Sequence, residues 1–463
     1  MLYFLKRLIP ARAKHYIRRK INEPKRKKAY QQRLQHLKAS GVISEIRSPK
    51  NIILIVLDCL RVDYLKDDIC PFLSSLANSS IFSKKNISAS NWTYPSVISL
   101  LSGLYPHTHG GQIVDKIGND HSLPALFNSN TVFIQDILNC NGYFTSCYYT
   151  IPWVRFLQET FCVSAPLYNQ PANFVFSKVA KDLTRIRENF FIYIHLGDLH
   201  APIKVPTEYK NFLKVENLPN LEKWDFQNGV NLNASEFQRY KTNRIKLYKA
   251  VIRFVDDELR KFFNFLEKNK LNQNTLVIIT SDHGEEFWEH VKIEKQLFFD
   301  PRNIYGVGHG HCFFNCVIET PVIIAKLAEN ESKIFELTSS VDVVPTILDE
   351  LNYEGKHLFD GLVFGKRKMN DIIISEAPYY GYTKKKAIIQ YPFKLITSPD
   401  DGVDLLFNIN KDTEENEPIY DNQLIVTLKN SLQIVKNDEP QESIIDLSEE
   451  DEVKKHLKNL GYM

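Results

Sequence analysis

Asn51-Ile52-Ile53-Leu54-Ile55-Val56-Leu57 is an unbroken apolar run, rich in β-branched side chains, that ends in Asp58. A strand with one wet face alternates apolar and polar residues, whereas a run without alternation fits a strand buried on both faces, as in the centre of a parallel sheet. Two further runs read the same way. Phe190-Phe191-Ile192-Tyr193-Ile194 leads into the segment His195 to His200, and Thr275-Leu276-Val277-Ile278-Ile279-Thr280 leads into Asp282-His283-Gly284. Each delivers polar, metal-competent residues at its C-terminal end, the edge at which open α/β sheets bind ligands. The chain is therefore expected to be α/β, with a large, mostly parallel central sheet flanked by helices and a site at that edge.

Outward from these runs, Val251, Phe254, Val255, Leu259, Phe262, Phe263 and Leu266 recur at helical spacing, which predicts a packing helix with Asp256 and Asp257 facing solvent. Val322-Ile323-Ile324 reads as another strand, and Pro345 within Val341 to Leu348 as the opening of a helix. From about residue 371 the apolar runs shorten into hairpin-like pieces. The expected organisation is a basic helical extension over 1–48, the main α/β domain over 49–370, a small antiparallel subdomain over 371–435, and an acidic linker with a terminal helix over 436–463. Ser448 and Asp451 are candidate caps of that last helix. With 463 residues and 43% hydrophobic content, the chain is long enough to bury a large core.

The net charge of +3 conceals an asymmetry, because residues 1–40 carry thirteen Lys and Arg against the single acid Glu23. The basic character belongs to that end alone, so no nucleic-acid partner is expected. The segment from Arg12 to Lys38, interrupted near Pro24, reads either as a helix lying on an anionic membrane surface or as a solvated helix packed on the domain. No window approaches the roughly 20 apolar residues of a membrane span. The opening residues lack the form of a cleaved signal. Seven cysteines, an odd number without metal-type CxxC spacing, point to a reducing compartment. Cytoplasmic residence, at most peripheral to a membrane, is the expectation, and oligomeric state has no signature here.

The chemistry centres on Asn91-Trp92-Thr93-Tyr94-Pro95-Ser96, followed by a helical stretch that stops at Gly103. A proline just inside a helix start places Thr93 at the N-terminus, where backbone N–H groups and the positive dipole end favour an anion. Alone, Thr-x-Pro-Ser is more often an ordinary helix cap. A hydroxyl needs a base or a metal beside it to become a nucleophile at neutral pH.

In combination these pieces are specific. Leu57-Asp58-Cys59-Leu60-Arg61, the Thr93 block running to Ser102-Gly103-Leu104-Tyr105-Pro106, His109-Gly110, Asp198-Leu199-His200-Ala201-Pro202, Thr280 to Glu285, Gly308-His309-Gly310 and Val341-Asp342-Val343-Val344-Pro345-Thr346 follow one another in an order that resembles the sulfatase branch of the alkaline phosphatase superfamily. The closing Leu457 to Tyr462 is also similar to the end of many sulfatases. The resemblance implies that Asp58, Asp282 and His283 are metal ligands and that Thr93 occupies the nucleophile position. It implies that His200 contacts the ester or protonates the leaving group, and that His309 stabilises the transferred group.

The departures carry information. Sulfatases of this family need Cys or Ser at the nucleophile position to form formylglycine, which threonine cannot yield; Thr93 looks like the phosphoglycerol and phosphoethanolamine transferase branches, where the hydroxyl attacks directly. Val97 stands where an Arg usually follows Pro-Ser, and no Lys-x-His appears around Tyr148 to Trp153. Both differences weaken a sulfate-ester reading against a phosphodiester, phosphonate or related ester, and they leave a sulfatase or a non-catalytic sulfatase-like binding protein as the alternatives. An imidazole in the ligand set suits zinc or manganese better than calcium, in a one-metal site. A second ion would draw on Asp198, His200, His309 and His311. The expected reaction has two displacements: Thr93 attacks phosphorus in line, the leaving alcohol takes a proton from His200 or His309, and water or an acceptor alcohol releases the group. The substrate class is a small-molecule, glycan-linked or lipid-linked ester. Arg61 with Asp63 is read as an internal ion pair, Cys59 as a packing residue, and His107 and His109 as loop residues.

Overall fold

The computed structural model describes residues 28–111, 127–128, 130–223, 231–300, 303–327, 331–355, 359–379 and 384–435. The strands are β1 (Asn51–Leu57), β2 (Ile81–Ile87), β3 (Phe144–Tyr149), β4 (Val163–Pro166), β5 (Phe190–Leu196), β6 (Thr275–Thr280), β7 (Glu286–Phe287), β8 (Val307–Gly308), β9 (Glu319–Lys326), β10 (Lys333–Phe335), β11 (Thr338–Ser339), β12 (Ile373–Ser375), β13 (Lys386–Gln390), β14 (Phe393–Ser398) and β15 (Val403–Asn408). The helices that matter for the site are α1 (Pro71–Asn78), α2 (Thr93–Ser102), α3 (Pro106–His109), α4 (Ile134–Cys140), α5 (Ala172–Leu183), α6 (Ser235–Lys268), α7 (Val291–Leu297), α8 (Val343–Glu350) and α9 (Asn422–Val435).

Nine strands form the main sheet, in the order β10-β2-β9-β6-β1-β5-β3-β4 with β11 beside β2. The three apolar runs of the sequence are its centre: β1 pairs in parallel with β5 on one side and β6 on the other. Strand β9 runs antiparallel to both its neighbours, so the sheet is mostly parallel. Pleating sends alternate side chains of β1 to opposite faces. Ile52, Leu54 and Val56 enter a core with residues of α2, α4 and α8. Ile53, Ile55 and Leu57 enter a second core with residues of α1, α5 and α6. Each of these six side chains is within 1% of complete burial and contributes about 1.5–3 kcal/mol by leaving water.

Two local expectations are corrected. Asp256 is buried, not solvent-facing: its carboxylate accepts from the Phe72 N–H at 3.0 Å and the Leu73 N–H at 2.7 Å, satisfying the first turn of α1 from another helix. Asp257 is partly exposed and pairs with Arg260 at 2.9 Å. Helix α8 starts at Val343, so Pro345 sits inside its first turn, where the missing N–H costs no helical bond.

Residues 28–39 are helical and pack on the domain, with Tyr30 and Leu34 buried and Arg33 joined to Asp136 at 2.8 Å. Residues 1–27, the larger part of the basic segment, lie outside the described residues, as do the acidic linker and the terminal Leu457 to Tyr462. Among the described residues no helix is long and apolar enough to cross a membrane. All seven cysteines are free.

Strands β12 to β15 form a separate antiparallel sheet, backed by Leu428 of α9 on Ile388, Leu395 and Leu406. Glu376, just past β12, ties this sheet to α3 below the start of α2. One of its oxygens accepts from the His107 N–H at 2.8 Å and lies 2.6 Å from His107 Nδ1; the other lies 3.2 Å from Lys386. Burial raises the Glu376 pKa, but His107 and Lys386 outweigh it and hold the carboxyl below its ordinary range. A depressed carboxylate stabilises the fold above its unfolded pKa of about 4.3 and loses that contribution as pH falls through the folded value. Glu376→Gln is expected to cost about 3 kcal/mol at pH 7, with the gap to the parent closing as pH falls below about 4. Urea unfolding of both proteins across that range measures it; a gap that does not change with pH would be inconsistent with a charged pair.

Candidate active site

The register of the central strands decides which side chains meet. Val56 lies opposite Thr280 on one side and His195 on the other. Asp58 and Asp282, each two residues further on, thus leave the sheet at the same level, on the face that also carries Leu54, Tyr193 and Ile278. Helix α2 covers that face and brings Thr93 to the edge.

Thr93 is the first residue of α2, not its cap. Trp92 occupies the capping position without any side-chain cap bond, and Gly103 closes the helix in the left-handed conformation that glycine adopts most readily. Thr93 is 1% exposed, and its Oγ1 lies 3.3 Å from His283 Nε2. The His283 ring is oriented from behind: Nδ1–H donates to the Gly284 carbonyl at 2.9 Å, so Nε2 presents its lone pair to the site. The chain can turn there only with glycine, since a Cβ on Gly284 would meet the Cys316 carbonyl oxygen at 2.1 Å. From Nε2 it is 3.5 Å to Asp58 Oδ1 and 3.5 Å to Asp282 Oδ2. The four residues expected at the centre of the site, Thr93, Asp58, Asp282 and His283, are together.

A fifth was not anticipated. His195, at the end of β5, is fully buried, and its Nε2 lies 3.5 Å from Asp58 Oδ2 and 3.9 Å from Asp282 Oδ2. Its Nδ1 is 2.8 Å from the Tyr193 hydroxyl, which fixes the ring. The only sequence signal was an imidazole closing an otherwise apolar strand.

Asp58 Oδ2, Asp282 Oδ2 and His195 Nε2 are all buried and make no hydrogen bond. Buried polar atoms left in this way cost about 1–3 kcal/mol each, more when charged. Three of them converging, two from carboxylates and one from an imidazole, form a donor set that fits a divalent transition metal. Electrostatics agree with that reading. Burial raises the Asp58 pKa, but the surrounding His195, His200 and His283 outweigh it and keep the carboxyl low. Burial, then the Asp58 charge, push Asp282 up. Burial lowers His283, an effect exceeded by Asp282 and Asp58, which raise it.

The backbone is strained here. Cys59 follows Asp58 with φ of 66°, a conformation that costs a non-glycine residue about 1–2 kcal/mol and that clusters at functional sites. Its buried thiol donates to Asp58 Oδ1 at 3.0 Å, and burial, Asp58 and Glu285 push its pKa well up.

His200 and His309 form the adjoining wall. Their rings lie 5.2 Å apart, and that of His309 is 4.1 Å from His283. His309 Nδ1 is 3.1 Å from Glu285, a contact the sequence did not suggest. His200 donates Nδ1–H to the Ala201 carbonyl at 2.6 Å and faces a cavity of about 170 Å³ lined also by Thr150, Asn169, Asp198 and Lys204. Of the suppliers considered for a second ion, two are elsewhere engaged. Asp198 Oδ1 accepts from the Ala172 N–H at 3.0 Å and caps α5, because its strand end abuts that helix. His311 turns away toward Glu294 and Glu286.

Residues 50–353 match the family model described as Sulfatase, roughly two thirds of the chain. The chain belongs to the sulfatase family. Its described fold also agrees with the phosphonate monoester hydrolase of Agrobacterium radiobacter: TM-score 0.63, 15% identity, covering 83% of this chain and 94% of that one. Among curated relatives it is 23% identical over 215 residues to the multifunctional alkaline phosphatase superfamily protein PehA of Trinickia caryophylli, 40% of this chain and 39% of PehA. The uncharacterized sulfatase YidJ of Escherichia coli K12 is 23% identical over 225 residues, again covering 39% of the relative. The chain therefore spans about two fifths of the length of the curated relatives it matches.

For a sulfatase-family chain the remaining expectations resolve locally. Arg61 is an internal strut, paired with Asp63 at 2.8 Å and Glu289 at 2.6 Å. His107 and His109 belong to the short helix α3 instead of a loop. His109 is fully buried, with Nε2 at 2.9 Å from Ser99 Oγ and Nδ1 accepting from the Gly111 N–H. Burial pushes its pKa down to about 3, so it is a neutral support beneath α2.

Proposed function

We propose that this sulfatase-family chain is a metal-dependent hydrolase or transferase that cleaves a phosphodiester, phosphonate or related ester with Thr93 as nucleophile. The observation that carries the reading is Thr93 Oγ1 at 3.3 Å from His283 Nε2, beside three buried carboxylate and imidazole atoms with no hydrogen bond of their own. Asp58, Asp282, His283 and His195 would hold one divalent ion, zinc or manganese in preference to calcium because two imidazoles face two carboxylates. Such an ion supplies positive charge that offsets the carboxylates and favours the ionised form of a neighbouring hydroxyl.

The chain's own residues do the rest. The start of α2 presents backbone N–H groups toward the transferred group's oxygens. Thr93 oxygen attacks phosphorus, and the bond to the leaving alcohol breaks on the opposite side. That alcohol takes its proton from His200, which faces the cavity, whereas His309 is wedged between His283, Glu285 and Cys59. Water or an acceptor alcohol then gives its proton to the neutral His200 and attacks the phospho-threonine, the bond from phosphorus to the Thr93 oxygen breaks, and both groups return to their starting protonation. Lys204, Asn169 and Thr150 give the cavity a polar rim suited to a hydrophilic leaving group, such as a glycan or lipid headgroup. A sulfate ester is disfavoured, since threonine yields no formylglycine.

The test pairs metal analysis of the purified chain with turnover of an aryl phosphodiester, an aryl phosphonate ester and an aryl sulfate. Metal-dependent turnover of the first two is expected; sulfate as the preferred substrate would refute the reading. His195→Ala is expected to weaken metal binding by more than about 10-fold, and Tyr193→Phe by about 10-fold through loss of ring orientation. Competition with a calibrated chelator reads both, and unchanged affinity in His195→Ala would remove that residue from the ligand set.

A further inference from the structure

Glu285 and Glu286 are consecutive where the chain enters β7, and their side chains meet different partners. Glu285 faces His309 and the active site; Glu286 faces a second cluster built from α7 and the segment after β8. Glu294 on α7, and His311 and Cys312 after β8, converge with Glu286, and one ligand atom from each of the four lies within 4.8 Å of the others. All four are buried, none more than 5% exposed.

The cluster is organised as a ligand set. His311 donates Nδ1–H to the His309 carbonyl at 3.2 Å, turning Nε2 toward Glu294 Oε1 at 3.3 Å and Glu286 Oε2 at 3.8 Å. Cys312 Sγ is 3.2 Å from Glu286 Oε2. Glu294 is anchored through Oε2 by the Gly306 N–H, while its buried Oε1 makes no hydrogen bond. Glu286 is held from behind by His290, whose Nδ1 is 3.0 Å from Oε1 and whose Nε2 is 2.8 Å from the Glu414 carbonyl. With an acceptor at each ring nitrogen, His290 is an imidazolium. Lys385, whose Nζ donates to the His311 carbonyl at 3.4 Å, lies 3.7 Å from Asp401, which balances its charge.

We propose that Glu286, Glu294, His311 and Cys312 form a second metal site, structural and tetrahedral, selective for zinc. Two carboxylates, one thiolate, the His290 imidazolium and a divalent ion sum to no net charge, which a closed and buried site requires. Carboxylate, imidazole and thiolate are all donors that zinc accepts, and the burial of all four leaves no position open to substrate. Such an ion would lock the β7–β8 hairpin and the segment carrying His309. The inference is independent of the reaction proposed above. The competing arrangement is a protonated His311 between two carboxylates with Cys312 as a neutral thiol.

Cobalt(II) separates the two, because thiolate ligation gives an intense near-ultraviolet charge-transfer band. The full chain reconstituted with cobalt is expected to show it, Cys312→Ser to lose it, and Cys59→Ser and Cys316→Ser, each altered at another thiol close to a histidine, to keep it. In addition, Asp58→Asn combined with Asp282→Asn should retain one equivalent of tightly bound zinc. No band in the parent, a band that vanishes with Cys59→Ser instead, or a zinc-free Asp58/Asp282 double variant would each overturn the proposal.

Discussion

Thr93→Ala is expected to lower kcat/KM toward the preferred ester by about 10,000-fold or more, the scale on which loss of a covalent nucleophile removes transition-state stabilisation. The structure makes this substitution unusually clean. Thr93 Oγ1 caps nothing in α2, since the capping position belongs to Trp92. The variant should therefore unfold within about 1 kcal/mol of the parent. Thr93→Ser, which keeps the oxygen but loses the methyl group, should retain measurable turnover. Steady-state kinetics with thermal unfolding decides the matter: an alanine variant with parental turnover would remove Thr93 from the reaction. A variant that is inactive only because it is unfolded would show in the melting curve.

Asp282→Asn carries the second largest effect, in two parts of opposite sign. With metal present, activity is expected to fall by about 1,000-fold, because a weakened metal site forfeits several kcal/mol of charge stabilisation and each 1.36 kcal/mol is a decade in rate. Without metal, the variant should be at least as stable as the parent. Burial and the Asp58 charge raise the Asp282 pKa, and a carboxyl whose folded pKa lies above its unfolded value destabilises the fold once pH exceeds the unfolded value. Asparagine removes that repulsion. Chelator should thus lower the melting temperature of the parent by more than that of the variant, since only the parent gains the mass-action stabilisation of metal bound at Asp282, about 2.7 kcal/mol at a hundredfold excess over Kd. Equal chelator sensitivity in both proteins would mean that Asp282 does not hold the ion.

The central strands were legible because burial on both faces leaves a chemical trace in one dimension: Asn51–Leu57, Phe190–Leu196 and Thr275–Thr280 are apolar without alternation. Their ends announced Asp58, Asp282 and His283 in the same way. Helix α6 was legible from its spacing, but the burial of Asp256 within it was not, because its partners Phe72 and Leu73 are about 180 residues away. His195 was missed for a related reason. One histidine after an apolar run is common, and only the pairing of β5 with β1 sets it opposite Val56, within reach of both carboxylates.

From the amino-acid order alone came the α/β class, the edge at which chemistry gathers, and the residue types competent for it, since periodicity and strand ends are local properties. Tertiary structure decided which imidazoles face the carboxylates: His195 and His283 do, whereas His311 and Asp198 are drawn off to Glu294 and to the start of α5. The reason is geometric. Side-chain direction follows the pleat and strand register, and register is fixed by packing between segments that are distant in sequence.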